Sequence, residues 1–236
     1  MKLLNLLLIM ISNIFLIFRS LLFWINIILS VLLFGPITFL SGLASYNLCL
    51  YLSKQWCKYN LFSLKYICSL TYKFDNHEIK NSKIIISRHQ STWETFFFMA
   101  YIDYPIFILK KELLMIPLFG WCLYLLKHIS IDRSDGPSSL KKIMHSCDEH
   151  IQENRTIIIF PEGTRSLYGT KAKLKRGVFK ILESIKAKSH IVNHTAGKYW
   201  NNSFLIKPGI IDINIISLEY DTNLDNLKGK IQKHFS

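Results

Sequence analysis

Acidic residues are scarce in this 236-residue chain, where 16 Asp and Glu stand against 29 Lys and Arg for a formal net charge of +13. That imbalance disfavours cationic partners and favours anionic ones, among them nucleic acid, anionic lipid headgroups and phosphorylated substrates. Cysteines are few as well: the five are odd in number and form no CxxC pair, which argues against a disulfide framework or a zinc site and for a reduced compartment. Also missing are a GK[ST] phosphate loop, a GxGxxG fingerprint, an HExxH helix and a GxSxG elbow. Nucleotide hydrolysis, dinucleotide binding, zincin chemistry and serine-nucleophile catalysis therefore lack their usual parts. Between Leu3 and Leu52 charge itself is nearly absent, with Arg19 the only formal charge.

That charge-poor stretch accounts for much of the 50% hydrophobic content and the positive mean hydropathy of +0.22. Apolar runs extend from Leu3 to Phe18 and from Leu21 to Phe34, followed by Gly35-Pro36, which is expected to break a helix. A cleavable signal peptide would have a short apolar core and then a small-residue cleavage site, whereas here the apolar character continues to Leu52, so the segment reads as retained. A spanning helix needs about 20 apolar residues. Each run is shorter and a charge lies between them, so a spanning helix and a hairpin embedded in one leaflet fit equally well. Lys54, Lys58, Lys65 and Lys73 follow directly, and positive charge beside a membrane segment marks the cytoplasmic side. Residues 1–52 are thus expected to anchor the chain, and residues 53–236 to form a domain at the cytoplasmic face. Membrane lipid explains both the leader and the charge, whereas nucleic-acid binding is motivated by charge alone.

After the leader, Ser53 to Tyr72 reads as a helix on the membrane surface, and then strand and helix patterns alternate. Short buried strands are expected at Lys83 to Ser87, Pro105 to Leu109, Ile129 to Ile131, Thr156 to Phe160 and Ile210 to Ile216. Helices are expected at Ser91 to Ile102, Lys111 to Lys127 with an interruption near Pro117 and Gly120, Gly136 to Asn154 and Gly177 to Lys186, and a short one after Asp221. The alternation predicts an α/β fold with a mostly parallel or mixed central sheet flanked by helices, and ligands of such sheets sit beyond the carboxyl ends of the strands.

Two motifs fall at such ends. In Arg88-His89-Gln90-Ser91-Thr92-Trp93-Glu94, a histidine stands five residues ahead of a carboxylate. Inside one helix the pair would be about 140° apart and could not meet, so His89 is expected in the loop, with Ser91 as N-cap and Glu94 in the first turn reaching back to one ring nitrogen. The other nitrogen is then free to take a proton from a hydroxyl. The same four residues, Ser91 to Glu94, also spell a capping box in which Glu94 bonds the Ser91 backbone and His89 is incidental, and both readings stand at this point. The second motif, Phe160-Pro161-Glu162-Gly163-Thr164-Arg165-Ser166, joins a turn glycine, backbone donors and a guanidinium suited to phosphate. As a bland alternative, Glu162 and Arg165 simply pair. Lys110 and Lys111 lie beyond another strand and add positive charge. The other histidines are scattered, the His190/His194 pair at i, i+4 lacks a nearby acidic or cysteine ligand, and all read as structural; no metal site is expected.

Together, Ser87 to Glu94, Lys110-Lys111-Glu112-Leu113 with Pro117 and Gly120, Ile131-Asp132-Arg133 and Phe160 to Ser166 resemble the motif blocks of the bacterial 1-acyl-sn-glycerol-3-phosphate acyltransferases, in the same order, over roughly residues 83 to 200. The resemblance implies that His89, oriented by Glu94 in an HX4E variant of the motif, activates the 2-hydroxyl of a lysophosphatidate for attack on an acyl thioester, giving phosphatidate for phospholipid biosynthesis. It assigns the substrate phosphate to Arg165, with Glu162, Gly163 and Thr164 shaping the loop, and adds Lys111, Lys110 and Arg133 as further substrate contacts. It implies no cofactor and no metal, acyl-CoA or acyl carrier protein as co-substrate, and the bacterial inner membrane as location. The alternatives are an acyltransferase for another lysolipid or for glycerol-3-phosphate, and a non-catalytic basic lipid-binding module. One block departs from the family: Ala187 to Asn193 contains none of the prolines usual there, although Ala196-Gly197-Lys198-Tyr199-Trp200 keeps the expected register.

Overall fold

The computed structural model describes residues 2–74, 79, 81–132, 137–185, 187–218 and 224–235; Arg133 and His77 lie outside them. In chain order the elements are α1 (Lys2–Ala44), α2 (Tyr46–Cys68), β1 (Leu70–Tyr72), β2 (Ile84–Ser87), α3 (Trp93–Tyr101), β3 (Pro105–Lys110), a 3-10 turn (Lys111–Met115), α4 (Phe119–Leu125), β4 (Ile129–Ile131), α5 (Pro137–Gln152), β5 (Thr156–Ile159), α6 (Arg176–Ser184), β6 (Ser189–His194), α7 (Ala196–Tyr199), β7 (Gly209–Ile211), β8 (Ile213–Leu218) and α8 (Leu224–Phe235). Six strands form one sheet in the order β4-β3-β5-β2-β6-β8, and β1 pairs with β7 in a small separate one. Every pairing is parallel except β6 with β8.

Alternation along the isoleucine-rich strands divides the core. Ile85, Phe107, Ile158 and Val192 point to the layer that holds α2 and α3, whereas Ile84, Ile86, Ile106, Ile157 and Ile191 point to the layer of α5, α6 and α8. Because both faces are covered, these central strands read as unbroken apolar runs, and each fully buried isoleucine contributes about 1.5–3 kcal/mol of transfer free energy. The fold is therefore α/β with a mixed central sheet flanked by helices and preceded by a long apolar helix, as the sequence pattern indicates.

The N-terminal segment differs from its expected form. Gly35-Pro36 does not break the chain, and α1 runs unbroken for 43 residues with Pro36 inside it. At Gly35 the helix instead makes a close approach, since a Cβ there would sit 2.9 Å from Cβ of Leu118. Arg19 does not interrupt the helix either: its guanidinium donates to the Ile67 carbonyl and the Ser69 hydroxyl, capping the negative end of α2. Tyr59 donates to Asn26 and Trp56 to Ser30, so α1 and α2 run antiparallel from the corner at Ser45. α2 begins earlier than expected and passes without a break through residues 52 and 53. α1, from Leu3 to Ala44, is long and apolar enough to cross a membrane, by length and composition. From Leu3 to Phe18 nearly every side chain is exposed.

Two further elements depart from the sequence pattern. Lys111 to Lys127 is not one interrupted helix but a 3-10 turn and the short α4. The run from Ile210 to Ile216 is two strands in different sheets, split at Asp212, whose backbone N–H donates to the Thr195 hydroxyl and whose carbonyl accepts from the Thr195 N–H. Without its prolines, Ala187 to Asn193 still supplies a central strand: β6 pairs Ser87 with Val192 on one side and runs antiparallel to β8 on the other.

Candidate active site

Strand register brings the two motifs together. Ile86 lies beside Ile159 in the β2/β5 pair, so His89 and Glu162, each three residues further on, leave the sheet at the same level. Ser87 beside Val192 does the same for His89 and His194. One carboxylate then joins the loops: Glu162 Oε2 accepts from the His89 backbone N–H at 2.8 Å, and its Oε1 accepts from the Ser166 hydroxyl at 2.8 Å. Ser166 N–H returns a bond to the His89 carbonyl at 2.7 Å. Glu162 thus bonds across to the histidine loop, and it pairs with Arg88 at 3.0 Å rather than with Arg165.

Glu94, in the first turn of α3, is fully buried. Its Oε1 accepts from the His89 ring at Nδ1 (2.9 Å) and from the backbone N–H groups of Gln90 and Ser91, both at 2.8 Å. The capping-box bond and the imidazole bond therefore coexist on one oxygen. Burial pushes this carboxyl up, but the His89 hydrogen bond, the neighbouring His194 and His89 imidazoles and the Ser91 N–H together hold it below the usual carboxylate range. Glu94 is thus an acceptor, so His89 Nδ1 carries the proton and Nε2 keeps its lone pair. Phe160 stacks on the imidazole with ring centroids 4.3 Å apart and fixes its plane. The His89 side chain remains 19% accessible at the sheet's rim.

Sequence reasoning missed two supporting groups. His194, set aside as structural, lies behind Glu94 with Nε2 4.0 Å from Oε2. Its Nδ1 accepts from the Ala196 N–H at 3.4 Å, which leaves Nε2–H to donate to the Arg88 carbonyl at 3.1 Å. Burial pushes this imidazole down, against the pull of Glu94, so it stays neutral. Arg88 is the second: it is buried, it pairs with Glu162, and it donates to the Thr170 carbonyl (3.0 Å), the Ser166 hydroxyl (3.3 Å) and the Phe235 carbonyl. The signal for His194 was its place two residues past the level of Ser87, visible only once the strand pairing is known.

Removing one partner of the buried Arg88–Glu162 pair strands the other. Glu162→Ala is expected to cost about 3–5 kcal/mol of stability, read as a lower urea midpoint, and Glu162→Gln, which keeps the side-chain volume and one of the two acceptor oxygens, less. Equal midpoints for Glu162→Ala and the parent would show that the carbonyls alone satisfy Arg88.

Arg165 is exposed, with Nη1 donating to Asn202 at 3.2 Å, and Gly163 takes the left-handed φ of +70° that the turn requires. Thr164 is exposed beside them. Lys110 ends β3, the strand on the far side of β5, and Lys111 forms a loose surface pair with Asp132 at 3.7 Å. A cavity of about 600 Å³ lies elsewhere, against β4 and α5, lined by His128, Ser130, Lys142 and Ser146 among others. Among the described residues no cluster of His, Cys, Asp or Glu has the spacing of a metal site.

Residues 70–195 match the family model described as Acyltransferase. The chain is 33% identical over 205 residues to the 1-acyl-sn-glycerol-3-phosphate acyltransferase of Pseudomonas aeruginosa, covering 84% of this chain and 79% of that protein. The Helicobacter pylori protein of the same name is 37% identical over 109 residues, 45% of this chain and 46% of its own length. Among solved structures, the 1-acyl-sn-glycerophosphate acyltransferase PlsC of Thermotoga maritima has a TM-score of 0.73 over 94% of this chain and 95% of that one, at 17% identity, a likeness of fold.

Proposed function

The chain belongs to the acyltransferase family, and from that premise we propose that it moves an acyl chain from a thioester to the 2-hydroxyl of 1-acyl-sn-glycerol-3-phosphate, releasing phosphatidate and a thiol. The observation that carries this reading is the His89 Nδ1 to Glu94 Oε1 bond of 2.9 Å, formed beside a loop that presents an exposed guanidinium. Nε2 of His89 takes the hydroxyl proton as the oxygen attacks the thioester carbon. When the C–S bond breaks, the same nitrogen returns the proton to the departing sulfur. Glu94 holds the ring and stabilises the imidazolium that forms between these steps. The thioester supplies the driving force, so the residues named here suffice without a metal or cofactor.

Arg165 is proposed to grip the acceptor's phosphate, with Gly163 and Thr164 giving the loop its turn and Lys110, Lys111 and Arg133 adding positive charge. Arg165→Ala is expected to raise KM for lysophosphatidate by about 10- to 100-fold, the worth of a lost charge-assisted hydrogen bond, while leaving KM for the acyl donor near its parent value. Titrating purified enzyme with each substrate in turn measures both, and an unchanged KM for the phosphorylated acceptor removes Arg165 from this role. Running acyl-CoA and acyl carrier protein as donors in parallel identifies the carrier. Both lipids of the reaction reside in membranes, which fits the apolar α1, and the lysines after it support a catalytic domain at the cytoplasmic face of a bacterial inner membrane.

A further inference from the structure

The segment between β3 and β4 exposes apolar side chains that nothing among the described residues covers. Within it the 3-10 turn Lys111–Met115 buries no residue at all. Met115 is 79% exposed, Tyr124 71% and Trp121 44%, and Ile116 also faces outward. A soluble surface rarely gathers so many large apolar groups in one place.

The patch is not isolated. Trp121 packs against Phe39 of α1 with ring centroids 5.3 Å apart, Leu118 abuts Gly35, and Leu125 abuts Gly42. One turn from Phe39 on the same side of the helix is Leu43, 64% exposed, and two turns back is Leu32, 58% exposed. The apolar surface therefore continues from α1 across onto α4. Exposed Lys110 and Lys111 precede the segment and exposed Lys127 follows it, bracketing the patch with positive charge.

We propose that residues 111–125 are a second membrane-contacting element, in which Met115, Ile116, Trp121 and Tyr124 enter the apolar layer of an anionic bilayer beside α1 while the flanking lysines meet its headgroups. Aromatic and long aliphatic side chains rimmed by lysine suit that boundary. The consequence is orientation: a contact made by the catalytic domain itself, beyond the antiparallel α1 and α2, fixes which side of the sheet meets the lipid.

All five native cysteines are buried, so Met115→Cys in the full chain offers an accessible thiol for an environment-sensitive fluorophore. Lys228→Cys, on α8 at the opposite face of the sheet, is the control. On vesicles of phosphatidylglycerol and phosphatidylcholine, the label at 115 is expected to shift to the blue and to be quenched by nitroxide-bearing lipid, and the label at 228 to do neither. The double variant Met115→Ser/Tyr124→Ser should bind these vesicles at least tenfold more weakly while keeping its turnover on a short-chain, water-soluble lysophosphatidate. A label at 115 that stays aqueous on vesicle-bound protein overturns the proposal. So does a dimer cross-linked through residue 115 in detergent, which would show that a second copy covers the patch. Both readouts are of binding, so they stand whether or not the assigned substrate proves correct.

Discussion

His89→Ala is expected to lower kcat for acyl transfer by about 10²- to 10⁴-fold, the range that one positioned acid–base group contributes. Alanine removes the only ring among the described residues whose free nitrogen sits at the rim and whose other nitrogen is held by a buried carboxylate. The KM values should change little, because neither the Arg165 loop nor the apolar surfaces are altered: Glu162 bonds the backbone N–H of residue 89, which alanine retains. Single-turnover measurements with labelled donor separate chemistry from product release. Turnover that survives the substitution would reject the mechanism, and absence of turnover in the parent with every lysolipid would support a lipid-binding module instead.

Glu94→Gln is expected to reduce kcat by a comparable factor, for a different reason. The amide is nearly isosteric with the carboxylate and can still accept from the Gln90 and Ser91 N–H groups through its oxygen. It cannot balance the imidazolium, and its NH2 group can hold the ring in the wrong tautomer. Stability reports the same change through pH. The native carboxyl lies below its ordinary range, so Glu94 contributes stability that is fully present above the unfolded-state value near 4.3 and is lost as pH falls through the lower native value. The glutamine variant should lack that part of the acid unfolding curve. If the two proteins unfold in parallel from neutrality to pH 2, the carboxylate is not held as described.

Much of this was legible before the fold. The isoleucine runs marked β2 and β5, because buried parallel strands need both faces apolar, and the angular argument placed His89 outside the helix that holds Glu94, although the N-cap of α3 is Thr92 rather than the expected Ser91. Partnerships set by register across distant strands were not legible. Glu162 was read as a loop-shaping residue or a mate for Arg165, yet it ties β5 to β2 through Arg88 and His89, and His194 looked idle until β6 was seen beside β2. Local signals also misled where tertiary packing overrode them: Gly35-Pro36 reads as a break, but the glycine serves the close approach of Leu118 and the helix continues. At Asp212 a strand-like run of isoleucines concealed a change of sheet, since periodicity does not reveal which neighbour a strand will choose.

The contact between Arg88 and the Phe235 carbonyl carries one more implication. The last turn of α8 reaches back to the guanidinium that braces the histidine loop, and His234 and Asn193 fasten the same turn to β8 and β6. An affinity tag or a fluorescent fusion joined directly after residue 235 would tug on that brace, so handles for purification are better placed at surface loops remote from this turn.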